Sequence, residues 1–293
     1  MSAPEIDVSD QPKRERGRVV RPSLRREKAM LRDGVALVGG CDEVGRGALA
    51  GPVTVGIVVV DATIGRVPRG LADSKLLTPQ RRQALVPVIK RWCLAYAVGH
   101  ASPGEIDRWG LTVALRLAGH RALALLSMRP DVVLLDGSYD WFSHREEQTV
   151  MWEVDLRESQ ESGPAWPPCD VPDVVTQIKA DLACASVAAA SVLAKTTRDA
   201  IMVDLADEYP HFAWDENKGY ASDRHREELR RTGPCDHHRR SWRLGLEDDG
   251  LDDDGLDDDG LDDGGEEPSA EEASDLHVAS STVDLTGEAV PSH

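Results

Sequence analysis

Four acidic residues share one feature, because each stands at the end of an apolar, β-branched run that predicts a strand. They are Asp42, Glu43, Asp136 and Asp181. The sequence offers them no obvious ion-pair partner. If the fold clusters them, their pKa values rise and the folded state loses several kcal/mol unless cations neutralise the site.

Hard oxygen ligands in this number suit Mg²⁺ or Mn²⁺. Two such ions about 3.5–4 Å apart can clamp a phosphodiester during in-line attack by water. Simpler interpretations stay open from the pattern alone, because a single Asp at a strand end is commonly a turn or helix cap. Asp42 and Glu43 fit that interpretation less well, since neighbours on a strand point to opposite faces unless the backbone turns.

The elements that must position these residues alternate between strand and helix. Residues 36–60 predict two strands of a hairpin around a glycine-rich loop, and Thr78-Pro79 predicts a helix start. Further strands are predicted at 94–100, 131–137 and 174–181, and further helices at 105–126 and 186–209. The order predicts an α/β domain with a mixed sheet of about five strands and flanking helices.

The charge is divided unevenly along the 293 residues. The last 48 residues hold 18 of the 52 acidic side chains and none of the 34 basic ones, so residues 1–245 carry 34 of each. A five-residue repeat of Gly and Asp within 246–293 predicts a disordered acidic tail, for which a basic protein partner is one role. Because the body is neutral, its charge does not argue against a nucleic-acid partner.

The remaining segments complete the predicted organisation. Residues 1–34 predict a flexible N-terminal arm, 35–245 one catalytic domain with a helical extension from about 200, and 144–170 an excursion loop. No apolar run reaches the roughly 18 residues of a membrane span, so no membrane partner is expected. Five scattered cysteines indicate reduced thiols in a cytoplasm, and a metal site at the 235–238 Cys-Asp-His-His run is disfavoured.

Six motifs, in order, resemble the ribonuclease HII family over about 35–242. They are CDEVGRGALAGPV (41–53), LADSK (71–75), VLLDG (133–137), IKAD (178–181), ASVLAKTTRD (190–199) and NKGYASDRHREEL (217–229). The first is highly specific. The resemblance implies a ribonuclease H-like α/β fold with a C-terminal helical extension.

The resemblance also implies the activity and the roles of residues. It implies an endonuclease that cuts the RNA strand of RNA–DNA hybrids and incises duplex DNA at single ribonucleotides, leaving 3′-hydroxyl and 5′-phosphate ends. We expect the protein to be a cytoplasmic monomer. Asp42, Glu43, Asp136 and Asp181 would hold two Mg²⁺ or Mn²⁺ ions, with Asp42 bridging the metal that activates water.

The substrate-binding residues implied by the resemblance lie in the other motifs. They are Gly45, Arg46 and Gly47, whose backbone would grip the ribonucleotide 2′-hydroxyl, Tyr220, which would pack on the sugar, and Lys75, Lys195 and Lys218.

Alternatives stay open for several of these assignments. Lys195 and Asp199, four apart on a predicted helix, could pair on the surface, and Tyr220 could belong to the core. The basic clusters at 224–226 and 237–240 could contact phosphates or form a solvated face. For the whole chain, the rivals are a non-catalytic hybrid-binding module and a nuclease acting on all-DNA substrates, such as a resolvase or integrase.

Overall fold

A computed structural model describes residues 21–143, 163–242 and 244. Its five strands form one sheet, and they are β1 (Val38–Val44), β2 (Val53–Val60), β3 (Ala95–Ala101), β4 (Val132–Asp136) and β5 (Asp173–Gln177). The order across the sheet is β3-β2-β1-β4-β5. The pairs β1–β2 and β2–β3 are antiparallel, whereas β1–β4 and β4–β5 are parallel. The predicted mixed sheet and early hairpin are therefore confirmed.

The helices begin and end at signals that are legible in the sequence. They are α1 (Arg25–Arg32), α2 (Pro79–Trp92), α3 (Pro103–Leu125), α4 (Ala180–Ala183), α5 (Ala185–Glu208), α6 (Trp214–Asn217) and α7 (Asp223–Thr232). The Thr78 side chain accepts from the Arg81 amide at the start of α2. Ser102 and Glu105 form a reciprocal capping box at the start of α3. These contacts satisfy amides that the first helical turn leaves without a partner.

The two faces of the sheet carry separate cores. Along β2, Ile57 and Val59 belong to the core under α3, while Val58 and Val60 belong to the core under α5. This alternation follows from the two-residue period of a strand. Gly40 of β1 lets α5 approach closely, because a Cβ there would lie 2.3 Å from the carbonyl carbon of Ser186. The long alanine-rich helix α5 is consequently fixed against the centre of the sheet.

A third apolar cluster joins the C-terminal helices to the rest of the domain. Met202 of α5 packs there with Phe212, Trp214 and Leu229, and also with Leu49 from the loop after β1. Helix α5 runs to Glu208, so the helical extension begins with the 3₁₀ turn Pro210–Phe212 rather than near residue 200. The extension is thereby attached directly to the glycine-rich loop.

The flexible arm predicted for residues 1–34 is wrong for the part that contains α1. Glu27 in this helix is fully buried, and its Oε1 accepts the amide of Ser186 at 2.9 Å and the hydroxyl of Ser186 at 2.8 Å. The amide of Ser23 also donates to the Ala183 carbonyl. Helix α1 therefore supplies the side-chain cap that Cys184 does not give to α5.

Three predicted segments fall partly or wholly outside the described residues. They are the first 20 residues of the arm, residues 144–162 of the excursion loop and the acidic tail at 246–293. All five cysteines are described, and each is a free thiol. Among the helices described, none is long and apolar enough to cross a membrane.

Candidate active site

The sheet topology brings the four acidic residues to one edge of the domain. Asp136 is the last residue of β4, which runs parallel to both β1 and β5. Because the carboxyl ends of parallel neighbours lie at the same edge of a sheet, residues at the ends of these three strands converge.

Asp42 and Glu43 lie within β1 rather than beyond its end. They pair with Gly56 and Val55 of β2, and the ladder continues to Val44. The backbone therefore does not turn between the two carboxylates. Asp42 is buried, with an exposed fraction of 6%, while Glu43 is partly exposed. Both residues were predicted to stand at the exit of the strand. The strand ends later, at Val44, because the pairing with β2 extends past both of them.

Asp181 also occupies a different element from the predicted one. Strand β5 ends at Gln177, and Lys179 adopts φ 55°, which breaks the extended run. Asp136 Oδ1 then accepts the amide of Ala180 at 2.6 Å and that of Asp181 at 3.5 Å. Asp181 thus lies in the first turn of α4, and Asp136 ties the end of β4 to it.

Burial raises the pKa of every one of the four carboxyl groups, and the charge of at least one neighbouring carboxylate adds to each rise. For Asp42 burial is the largest cause, and the charges of the other three add to it, while a hydrogen bond from Ser191 opposes them. Burial, followed by the charges of Asp136 and Asp73, raises the pKa of Asp181 to about 7. Asp42 therefore lies within electrostatic reach of the other three carboxylates.

For Glu43 and Asp136 as well, burial raises the pKa and a nearby positive charge or hydrogen-bond donor opposes the rise. Burial raises the pKa of Glu43, and the nearby guanidinium of Arg46, 3.6 Å from its Oε1, opposes the rise. Burial likewise raises the pKa of Asp136, against the hydrogen bonds from the Ala180 and Asp181 amides. The positive charges of Arg46 and Lys75 therefore do not offset the burial of these carboxylates.

The donor set fits divalent cations by its chemistry. Carboxylate oxygens are the ligands that Mg²⁺ and Mn²⁺ prefer. Glu43 Oε2 is buried without a hydrogen-bond partner, so one oxygen of the group lacks the contact that burial normally demands. As the side chains stand, the described residues contain no group of three or more His, Cys, Asp or Glu arranged to hold a metal. Binding would therefore require these side chains to rotate toward the ion.

The glycine-rich loop after β1 adjoins the carboxylates. Gly45 adopts φ 85°, and a Cβ there would lie 2.1 Å from the Nε of Arg198, so the position requires glycine. Arg46 and Gly47 are exposed. The amide of Leu49 donates to the carbonyl of Gly219 at 2.9 Å, which joins the loop to the segment before Tyr220.

Tyr220 and two of the predicted lysines face a cleft next to this loop. The cleft has a volume of about 570 Å³, and Lys195, Lys218 and Tyr220 are among its lining residues. The ammonium of Lys195 lies 5.3 Å from the centre of the Tyr220 ring and 3.0 Å from Asp199 Oδ1. Lys195 therefore does pair with Asp199, in a partly buried position that also contacts Tyr220.

The remaining lysines occupy different surroundings. Lys75 lies close to the acidic group, since its charge lowers the pKa of Glu43 and of Asp181. The Lys218 ammonium donates to the carbonyl of Asp215 on its own surface turn. Lys75 is thus within electrostatic reach of the carboxylates, while Lys195 and Lys218 line the cleft.

The two basic clusters of the C-terminal segment are not continuous surface. His225, His238 and Arg239 are almost fully buried. The Nε2 atoms of the two histidines are 3.1 Å apart, and burial lowers the pKa of His238 to about 4. These three side chains therefore cannot serve as phosphate contacts on the surface.

Sequence reasoning missed two contributors to the acidic site. Asp73 is buried, and its charge raises the pKa of Asp136 and of Asp181. Its presence in the LADSK motif beside Lys75 was the available signal. Ser191 hydrogen-bonds Asp42 and lies 2.8 Å from the hydroxyl of Ser74. Its place in the ASVLAKTTRD motif (190–199) was the available signal.

Comparison with known proteins identifies the family. The model of the family described as Ribonuclease HII matches residues 39–244. Ribonuclease HII of Streptomyces avermitilis is 44% identical over 209 residues, which cover 71% of this chain and 78% of the relative. Ribonuclease HII of Paracoccus denitrificans is 43% identical over 221 residues, covering 75% of this chain and 91% of the relative.

Solved structures agree with this assignment. Ribonuclease H2 from Pyrococcus horikoshii has a TM-score of 0.53 and 28% identity, covering 71% of this chain and 94% of the other. The RNase HII in a complex with PCNA from Archaeoglobus fulgidus has a TM-score of 0.52 and 26% identity, covering 71% and 95%. Because the family model matches more than half of this chain, the chain belongs to the ribonuclease HII family of endoribonucleases, hydrolases that act on RNA–DNA hybrids.

Proposed function

We propose that this chain cuts the RNA strand of RNA–DNA hybrids and also incises duplex DNA at single embedded ribonucleotides, leaving 3′-hydroxyl and 5′-phosphate ends. The observation that carries the proposal is the convergence of four buried or partly buried carboxyl groups whose pKa values are raised by burial and by neighbouring carboxylates. Such a group opposes folding, because each ionised member disfavours ionisation of the rest. A role in binding cations explains why the chain retains it.

The proposed cofactors are two divalent ions, Mg²⁺ or Mn²⁺. The residues that would hold them are Asp42, Glu43, Asp136 and Asp181. Bound there, the ions would polarise the scissile phosphate and supply a water of lowered pKa. Hydrogen bonds within the chain hold two of the proposed ligands in place. Ser191 hydrogen-bonds Asp42, and the first amides of α4 donate to Asp136.

The loop and the cleft would bind the substrate. Gly45, Arg46 and Gly47 would present backbone groups to the 2′-hydroxyl, which is the group that distinguishes RNA from DNA. Tyr220 would pack against the sugar. Lys75, Lys195 and Lys218 would approach phosphates, whose contacts position a duplex without reading its sequence.

The test is cleavage of a DNA duplex that contains one ribonucleotide, with the products mapped to the nucleotide. Wild type should cut beside the ribonucleotide with Mg²⁺ and should not cut in chelator. Asp42→Asn should reduce the rate by at least a thousandfold, because it removes a charge on which both ions depend. Asp61→Asn is the matched control, since Asp61 only caps an exposed turn, and it should retain the wild-type rate.

The same assay separates the rival functions. Near-normal cleavage by Asp42→Asn would contradict the proposed mechanism. Binding of the hybrid without cleavage would indicate a binding module, and equal cleavage of an all-DNA duplex would indicate a nuclease that ignores the 2′-hydroxyl.

A further inference from the structure

Two arginine side chains lie fully buried behind the loop that contains Gly45, Arg46 and Gly47. They are Arg198 in α5 and Arg239, which follows α7. Within the part of the chain that the structure describes, neither guanidinium forms an ion pair with a carboxylate. A buried charge is strongly unfavourable unless hydrogen bonds satisfy it. The contacts of these two side chains therefore show what their burial achieves.

Among the described residues, the guanidinium of Arg239 donates only to backbone carbonyls of the loop and of the residues after it. Its Nη1 donates to the carbonyl of Arg46 at 2.7 Å, and its Nη2 donates to that of Gly45. Both Nε and Nη2 also donate to the carbonyl of Gly51, at 3.3 and 3.2 Å. The guanidinium lies 4.8 Å from the centre of the Trp242 ring, which covers it. The planar fork of donors thus gathers three carbonyl groups at one point.

Arg198 holds the following residues in the same way. Its Nε donates to the carbonyl of Pro52 at 2.9 Å and its Nη2 to that of Ala50 at 3.0 Å. Its Nη1 donates to the carbonyl of Lys218 at 2.9 Å, and its guanidinium lies 5.3 Å from the centre of the Tyr220 ring. The two arginines together connect the loop, its downstream strand and the Tyr220 segment.

The orientation of the loop amides follows from these contacts. The structure contains no cis peptide bond in the residues described, and in a trans peptide unit the carbonyl and the amide N–H point in opposite directions. Because the carbonyls of Gly45 and Arg46 point at the buried guanidinium of Arg239, the amides of Arg46 and Gly47 point away from it. Both of those residues are exposed, so two adjacent donors face outward beside Glu43.

We infer that Arg239 is a positioning residue for ribonucleotide recognition, which holds the carbonyls of Gly45 and Arg46 inward so that the amides of Arg46 and Gly47 face the 2′-hydroxyl of the substrate. This inference rests on the proposed function of the loop. Arg239 touches no substrate in this arrangement and acts through the backbone of the loop alone.

The test compares two duplexes that differ at one position, ribonucleotide against deoxyribonucleotide. Dissociation constants are measured with Ca²⁺ in place of Mg²⁺, since Ca²⁺ takes the same oxygen ligands with looser geometry. Arg239→Lys keeps the charge, but a single ammonium lacks the planar fork that reaches three carbonyls. The preference of wild type for the ribonucleotide should fall by about tenfold in this variant. With Mg²⁺, kcat should fall by about 10–100-fold, as expected for a reacting group displaced by about 1 Å.

The matched control is Arg116→Lys. Arg116 is a buried arginine of α3 whose Nε donates to the carbonyl of Trp141 at 3.1 Å, and Trp141 belongs to the core under α3. Arg116→Lys should lower the melting temperature comparably while leaving the ribonucleotide preference unchanged. A purely structural role for Arg239 would give the same result as this control.

Each outcome decides between the possibilities. An Arg239→Lys protein that is folded and keeps the full preference overturns the inference. If that variant does not fold, Trp242→Leu decides, because it removes the ring that packs on the Arg239 guanidinium and so loosens its contacts with the loop. Its preference should fall by about threefold, and an unchanged preference overturns the inference. A wild-type protein without any preference contradicts the proposed function itself, and the role of Arg239 fails with it.

Discussion

Replacing Asp181 with asparagine should stabilise the metal-free protein at neutral pH while abolishing hydrolysis. Burial and the charges of Asp136 and Asp73 raise the pKa of Asp181 from 3.8 to about 7. Asparagine has nearly the same shape and can still accept the amide of Leu182, which donates to Asp181 Oδ1 at 2.7 Å. The substitution therefore removes the charge and little else.

The magnitude follows from the two pKa values. Below about pH 4 the carboxyl is protonated in both the folded and the unfolded state, so it does not change the free energy of unfolding. As the pH rises toward 7, Asp181 ionises in the unfolded state but not yet in the folded state, so the free energy of unfolding falls. Above pH 7 the carboxyl is ionised in both states, and the free energy of unfolding falls no further. At about 1.4 kcal/mol for each pH unit, the upper limit is about 4 kcal/mol. Because Asp181 is partly exposed, solvent screening reduces the expected gain to about 1–2 kcal/mol.

The assay is thermal unfolding in chelator at pH 7.5 and at pH 5. The gain should raise the melting temperature of Asp181→Asn by about 2–8 °C at pH 7.5 and by less at pH 5. Asp131→Asn is the control, because Asp131 is exposed and its carboxylate Oδ2 accepts the amides of Ala36 and Leu37 at 3.0 and 2.9 Å. A neutral amide oxygen accepts such bonds more weakly than a carboxylate, so this variant should gain no stability at either pH value. Mg²⁺ should raise the melting temperature of wild type more than that of Asp181→Asn.

Two results would refute this reasoning. One is a melting temperature of Asp181→Asn at or below that of wild type at pH 7.5 in chelator. The other is a difference between the two proteins that does not change from pH 7.5 to pH 5. Either result would mean that the four carboxylates do not repel one another as their burial and proximity require.

Two further predictions concern the contacts that place α5 on the sheet. Glu27→Ala should destabilise the protein by about 1–3 kcal/mol in urea unfolding, because it leaves the amide of Ser186 without its buried acceptor; an unchanged midpoint would show that α1 does not cap α5. Gly40→Ala should be destabilising by about 1–3 kcal/mol, because the new Cβ would meet the backbone of α5 at 2.3 Å, whereas Gly65→Ala, with no atom within 4 Å, should leave the midpoint unchanged. Equal midpoints for the two glycine variants would contradict the close approach of α5.

Much of the fold was predictable because its signals are local. The β-branched run of β2 predicts a buried strand whatever lies around it, and Thr78-Pro79 and Ser102 with Glu105 start helices through contacts within one turn. The type of chemistry was also legible, since Asp42 and Glu43 side by side ahead of Gly45 have few ordinary structural uses. These features depend on residues that are neighbours along the chain.

The tertiary structure alone decided which charges are buried and which are solvated. In sequence, Glu27, Arg198 and Arg239 are indistinguishable from surface residues of charged helices and basic clusters, and the arm containing α1 was consequently predicted to be flexible. In the folded protein all three are fully buried, and each hydrogen-bonds backbone or hydroxyl groups that lie more than 140 positions away along the chain. Local periodicity carries no information about such distant partners. Burial is a property of the assembled layers, so the support of the glycine-rich loop becomes visible only once the sheet, α5 and the C-terminal segment meet.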